Sequence, residues 1–320
     1  KMLKSCCRFY GEHPEYRIGE VPKGSDQRMV YTLDWAHKEV RDYRFELIKE
    51  ICIKYDIAGF ELDFMRHAYY FNEKETSAGQ REDIMVGFVK RVRDVLDRTS
   101  RPGQYRWLSV RIPGYRAGFA LIGVDVKRFA EAGVNIFNLS SHYFSNLQIE
   151  VHEIRKMLPD NVGVYSETHF VNAVGPKITM PHDHPHKPGK SWWAMRRTTP
   201  RQFYTAAHLN YARGGQGVST FNFHYYRGSP GVYVEEGIKP LPFEIFRHLD
   251  DSQWLARQPQ HYFIGYQWNF PNPGHAKPLR QPVKVGEPVR YELDMAPPEG
   301  GWNKAGRMRI QARESLGQSK

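Results

Sequence analysis

The segment YDIAGFELDFMRH, residues 55–67, decides how the rest of the chain reads. A short apolar run carries Glu61 and Asp63 two positions apart, with Arg66 and His67 just beyond. Side chains alternate faces along a strand, so the two carboxylates share one side. Two carboxylates on one face of an apolar strand are costly to place in a core. At the open end of a barrel they are free for acid–base or nucleophilic work.

Outward from this segment, strand and helix alternate from about residue 29 to 250. Strands are expected at 29–36 (MVYTLDWA), 57–64, 106–112, 134–144, 162–170 and 217–226. Helices are expected at about 38–54, 79–98, 125–132, 146–158, 200–213 and 241–250. In the first helix Val40, Tyr43, Leu47, Ile48 and Ile51 fall on one face; in the second, Met85, Phe88, Val89, Val92, Val95 and Leu96 do. A long loop spans 171–198. Six β/α units in a row imply a parallel sheet with helical crossovers. Polar and aromatic residues collect at the strand ends: Asp34 and Trp35, Glu61 and Asp63, Arg111, His142 and Tyr143, Glu167 and His169, then Asn222, His224 and Tyr225. That pattern favours a (β/α)8 TIM barrel over a doubly wound sheet, and no GxGxxG follows a first strand. Six units are two short of eight, so the first two strands are missing, unrecognised or upstream of residue 1. Past residue 255 prolines crowd, and QPVKVGEPVRYELDM (281–295) alternates like antiparallel strands. The expected division is a barrel over 1–255 and a β-rich accessory domain over 256–320.

Composition bounds the function classes. Hydrophobic residues make up 40% of the 320 and aromatics 14%, enough for a sizeable core. The net charge of +11 attracts anions, but the basic residues are spread along the chain rather than blocked together, which speaks against nucleic acid. Three cysteines, two of them adjacent, make no disulfide framework. No apolar run approaches the ~20 residues that span a bilayer. The first residues lack the apolar core of a signal peptide and do not start with Met, so a processed or truncated chain is expected; removal of a signal peptide would imply a periplasmic or secreted protein.

Four constellations carry candidate chemistry. Glu61 and Asp63, with Arg66 and His67, read as an acid/base or nucleophile pair beside a cation, or as a salt-bridge network that fixes the loop. Glu167, with His169 on the same face, reads as a second catalytic carboxylate or as a structural partner of Arg111. His142, Tyr143, Asn222, His224 and Tyr225 are groups that read sugar hydroxyls or stack on rings. The loop MPHDHPHKPGKSWWAMRR (180–197) offers His182, Asp183, His184 and His186 as metal ligands, but its prolines argue against a preformed site. Trp192 and Trp193 among its cations look more like a lid, with indole faces for sugars and charges for sulfate or carboxylate. No metal and no cofactor is called for, and neither GxSxG, P-loop nor HExxH is present.

The run LDWAHKEVRDYRFELIKEICIKYDIAGFELDFMRH (33–67) resembles the glycoside-hydrolase-like TIM-barrel family of the GHL10 type, and uncharacterised barrel proteins of polysaccharide-degrading bacteria. Asp34, Val40–Arg41, Tyr55–Asp56, Gly59, Asp63 and Arg66 carry the resemblance, which is specific over about 30–68. It implies a (β/α)8 barrel acting on a polysaccharide or oligosaccharide. It also implies a count: with LDWA as strand 3, Glu61 and Asp63 end strand 4 and Glu167 ends strand 7. The Asn-Glu pair usual on strand 4 of the largest glycosidase clan is absent, and in other barrel glycosidases the strand-4 Asp is the nucleophile. The expected function is therefore a glycoside hydrolase using Glu61 or Asp63 with Glu167. Asp34, Trp35, Arg66, His67, Arg111, His142, Tyr143, His169, Trp192, Trp193, Asn222, His224 and Tyr225 would contact a glycan, sulfated or uronate-containing by charge. A non-catalytic carbohydrate-binding barrel and a metal-dependent hydrolase are the alternatives.

Overall fold

The computed structural model describes residues 7–19, 32–65, 68–141, 144–179, 182, 191–227, 239–264, 286–288, 290–303 and 305–308, with backbone alone for 173–179 and 191–194. Among these, seven strands are formed: β1 (Gly59–Asp63), β2 (Trp107–Pro113), β3 (Ile136–Ser140), β4 (Gly163–His169), β5 (Val171–Thr179), β6 (Ser191–Arg197) and β7 (Gly217–Phe221). Five make one parallel sheet in the order β1-β2-β3-β4-β7, and β5 and β6 form an antiparallel hairpin. The α-helices are α1 (Arg8–Glu12), α2 (Lys38–Lys54), α3 (Ala78–Thr99), α4 (Phe119–Ile122), α5 (Val126–Glu131), α6 (Val151–Arg155), α7 (Pro200–Ala212) and α8 (Ser252–Arg257).

Alternation sorts the strands into two faces. Leu62, Leu108, Val110, Ile112, Phe137, Leu139 and Val164 point one way and are buried under the helices. The helices meet them with apolar stripes: Met85, Phe88, Val89, Val92 and Leu96 from α3, Val40, Phe45, Ile48 and Cys52 from α2, and Phe129 from α5. On α2 the buried stripe is rotated from the expected one, and Leu47 stands 43% exposed. Phe203 and Ala207 of α7 cover the same face at β7, against Val218. Chain order without reversal, and helices on one face, is the arrangement of a barrel wall; a doubly wound sheet reverses and carries helices on both faces. The fold is α/β with a parallel sheet. Among the described residues no pairing joins β1 to β7.

The helix ends follow their sequences. Ser77 and Gln80 form a reciprocal capping box at the start of α3, and Thr199 and Gln202 do so at α7, with Pro200 at the first helical position. Asp125 accepts from the backbone of Lys127 and Arg128 at α5.

Two expectations are corrected. Residues 32–36 make no parallel strand: Leu33 forms a single antiparallel bridge with Arg17, and 29–31 lie outside the described residues. Among the described residues the first sheet strand is therefore β1. The stretch 171–198 is a hairpin at both ends rather than a loop, with Val171 paired to Arg197 and Thr179 to Ser191. The described part of 256–320 holds no strand. Those described residues contact the wall: Ala296 is buried with Leu147 and Leu209, the Tyr262 hydroxyl donates to the Ala296 carbonyl at 2.8 Å, and Arg213 meets Asp294 at 3.0 Å. Much of the expected β-rich domain lies outside the described residues. No described helix is long and apolar enough to cross a membrane.

Candidate active site

The face opposite the helices is polar. Register pairs Glu61 with Ser109, Asp63 with Arg111, Arg111 with Asn138, and Asn138 with Tyr165. Period-two alternation then aligns Glu61 and Asp63, Ser109 and Arg111, Asn138 and Ser140, Tyr165 and Glu167 and His169, and Ser219 and Phe221 on that side. Ser109 Oγ donates to Glu61 Oε2 at 2.8 Å, and Ser219 Oγ to Asn138 Oδ1 at 2.9 Å.

Arg111 is the hub. Its Nε donates to Glu167 Oε2 at 2.6 Å and its Nη2 to Glu167 Oε1 at 2.8 Å, a bidentate fork. Nη2 also donates to Ser140 Oγ at 2.9 Å. Nη1 donates to both oxygens of Asp63, at 2.9 and 3.1 Å. A guanidinium has five N–H donors, and these five bonds use them all. The Phe221 ring covers the flat face, with Cζ 4.2 Å from its centroid. Burial would lower the Arg111 pKa, but Glu167 and Asp63 more than offset it and raise it.

Glu167 is the most enclosed carboxylate of the group, its side chain 2% exposed. Besides the fork, Oε1 accepts from Ser140 Oγ at 2.6 Å. His169 Nε2 lies 2.9 Å from Oε1 but off the hydrogen-bonding direction. Burial alone would raise the Glu167 pKa; His169 and Arg111 overcome it and bring it down to about 2. Glu167 is thus an anion throughout the neutral range.

Asp63 is different. It ends β1, its Oδ1 also accepts from the Met65 backbone N–H at 2.9 Å, and its side chain is 42% exposed. Glu61, two residues earlier on the same face, is exposed too. The Tyr70 ring is buried close by, and burial with the Asp63 charge pushes its phenol pKa up.

The remaining expected site residues separate into groups. Asp34 and Trp35 are buried in the packing beneath β1. Asp34 is buried and accepts from the Ala36 and Asn72 backbones, at 2.8 and 3.1 Å; Trp35 packs edge-on against Phe64, Tyr70 and Phe88. LDWA forms no sheet strand among the described residues, so the strand count based on it does not carry over, yet Glu167 still lies three sheet strands beyond Asp63. His169 is fully buried against Phe221, with ring centroids 5.1 Å apart. Asn222 adopts a left-handed backbone, φ 54°, where the chain leaves β7 for a 3-10 turn over Phe223–Arg227. His224 and Tyr225 sit on that turn, with centroids 4.0 Å apart and Tyr225 54% exposed. Trp192 and Trp193 have their backbones in β6, opposite Ile178 and Lys177. Arg66, His67, His142 and Tyr143 lie outside the described residues, as do Asp183, His184 and His186 of the expected histidine loop. His182 is described and exposed. Among the described residues no three His, Cys, Asp or Glu side chains converge to hold a metal ion.

Sequence reading missed Ser109, Ser140 and Phe221. The two serines carried a signal: each is a small hydroxyl residue on the lumen phase of an otherwise apolar strand. Phe221 carried none, since a Phe in a strand reads as core.

No protein-family model matches the chain. No curated protein matches it either. Solved structures similar to it include the group II chitinase catalytic domain 2 of Ostrinia furnacalis, with TM-score 0.44 and 10% identity over 68% of this chain and 72% of that one. A mutant of the same domain in complex with penta-N-acetylchitooctaose has TM-score 0.41 and 9% identity over 62% and 70%. The chitinase Chi1 of the Yersinia entomophaga toxin complex has TM-score 0.39 and 9% identity over 58% and 51%. At this level no residue role is carried from them to this chain.

Proposed function

We propose that the chain is a glycoside hydrolase acting on a polysaccharide or oligosaccharide with carboxylates on the lumen face of its sheet. One observation carries the reading: Asp63 stands at the C-terminal end of β1, fixed on one side by Arg111 and the Met65 N–H, and open to solvent on the other. Barrel enzymes keep their chemistry at that end of their strands. Glu61 gives a second open carboxylate on the same face. Two carboxyl groups of this kind suffice for glycosidic cleavage, one protonating the leaving oxygen and the other serving as base or nucleophile. Tyr225 offers an exposed ring at the end of β7 for stacking on a sugar. The net charge of +11 favours an anionic glycan, sulfated or uronate-containing.

The test is turnover on a panel of neutral, uronate-containing and sulfated glycans by the wild type, Asp63→Asn and Glu61→Gln. Loss of turnover in both amides with unchanged melting supports the reading. Undiminished turnover in either removes that residue. Glycan binding without turnover in the wild type would replace the hydrolase with a carbohydrate-binding barrel. A rate on sulfated polymers that does not fall with added salt would remove the preference for anions.

A further inference from the structure

The geometry points to Glu167 as a positioning residue that acts through Arg111 on Asp63, rather than as the carboxylate that reacts. This rests on the proposed hydrolase reading and divides the labour within it.

Three observations carry the division. Glu167 has no open side: Arg111 takes both oxygens, Ser140 and His169 crowd Oε1, and its side chain is 2% exposed. A nucleophile must reach an anomeric carbon, and a general acid must hold a proton; an enclosed anion does neither. Second, Arg111 has no donor left for a substrate, so its charge is spent on holding two carboxylates in fixed relation. Third, the assembly is sealed from above: Phe221 lies on the guanidinium face and against His169, and the left-handed Asn222 turns the chain immediately after it. Ser140, which accepts from Nη2 and donates to Oε1, locks the fork in its plane. The chain of contact runs Ser140 and His169 to Glu167, Glu167 to Arg111, and Arg111 to Asp63, where it first meets solvent.

The test uses the full chain and activated dinitrophenyl glycosides, whose leaving group needs no proton. A shift of an attacking group by about 1 Å costs up to ~10²-fold in rate. Glu167→Gln is therefore expected to lower kcat by up to ~10²-fold with KM little changed. In an Asp63→Ala background the same change is expected to cost nothing further, because its effect passes through Asp63. Added azide is expected to restore no rate to Glu167→Ala. Azide rescue of Glu167→Ala with a glycosyl azide product would make Glu167 the nucleophile and overturn the inference. So would independent, multiplying losses in the double variant. Should Glu167→Gln fail to fold, Ser140→Ala loosens the same fork and is expected to lower kcat in the same sense; an unchanged kcat overturns the inference. Crystal structures of the wild type and the folded variant supply an arm that needs no activity. A displaced Asp63 side chain in the variant supports the inference, and an unmoved one overturns it. Absence of turnover by the wild type on every glycoside would sink the hydrolase reading alone.

Discussion

Glu167→Gln makes the electrostatics of the lumen measurable through stability. Glu167 titrates at about 2 in the folded chain against an ordinary value of 4.5. At about 1.4 kcal/mol per pH unit, that difference is worth about 3 kcal/mol of folding free energy. The side chain is 2% exposed, so solvent screening takes little from it. A depressed carboxylate stabilises the fold above its unfolded pKa, and the contribution is lost as pH falls through the folded one. The wild type should thus exceed Glu167→Gln by a pH-dependent margin of about 3 kcal/mol at pH 7. That margin should shrink as pH falls below about 4 and vanish below about pH 2. Urea unfolding of both proteins at a series of pH values, taken as a difference, cancels the carboxylates they share. Any packing cost of the amide adds a constant offset and leaves the slope alone. A gap that stays level from pH 6 to pH 3 would refute the claim that Arg111 and His169 hold Glu167 as an ion.

Substitutions at three further positions probe the frame around that site. Asp34→Ala strips the acceptors from two backbone N–H groups, those of Ala36 and Asn72, and should cost about 2–4 kcal/mol in urea unfolding. Gly59→Ala would place a Cβ 2.5 Å from the Trp107 carbonyl oxygen and 2.9 Å from its Cβ. It should push β1 off β2, lower stability by about 1–3 kcal/mol and broaden the Asp63 resonances. At Asn222, φ 54°, Gly should be tolerated while Val loses about 1–3 kcal/mol, seen as a drop in Tm for Val alone.

The sheet strands were legible because each is a short apolar run with strict alternation and a helix on either side. The same alternation put Glu61 with Asp63 and Glu167 with His169. The segment 29–36 misled for a physical reason: VYTLDW has strand composition, but Asp34 spends one oxygen on the local Ala36 N–H, which turns the chain at Trp35, and the other on the distant Asn72 N–H. The hairpin after β4 was hidden by Gly175 and Pro176, which read as loop punctuation. They fall within the register shift between Ala173 and Lys177, where a bulge tolerates residues a regular ladder rejects. The hub at Arg111 was beyond reach altogether. Arg111 and Glu167 are 56 residues apart in sequence and two strands apart in the sheet, about 10 Å at ordinary strand spacing. Only the register shows that a long side chain from each spans that gap.

The hub also bears on why such a group sits in the wall at all. A guanidinium and a carboxylate, Arg111 and Glu167, are expensive to bury, and replacing a buried ionic pair with apolar side chains is often neutral or stabilising. Apolar packing at positions 111, 140 and 167 would hold β2, β3 and β4 together at least as well. Stability therefore gives no reason for Arg111, Ser140 and Glu167. An apolar trio could not fix the orientation of a half-exposed carboxylate at the mouth of the sheet. The five donors of Arg111 do so: three are spent on the buried side, on Glu167 and Ser140, and two reach Asp63. The asymmetry of exposure, 2% at Glu167 against 42% at Asp63, gives the arrangement its direction. The anchored carboxylate is inside, and the other faces solvent.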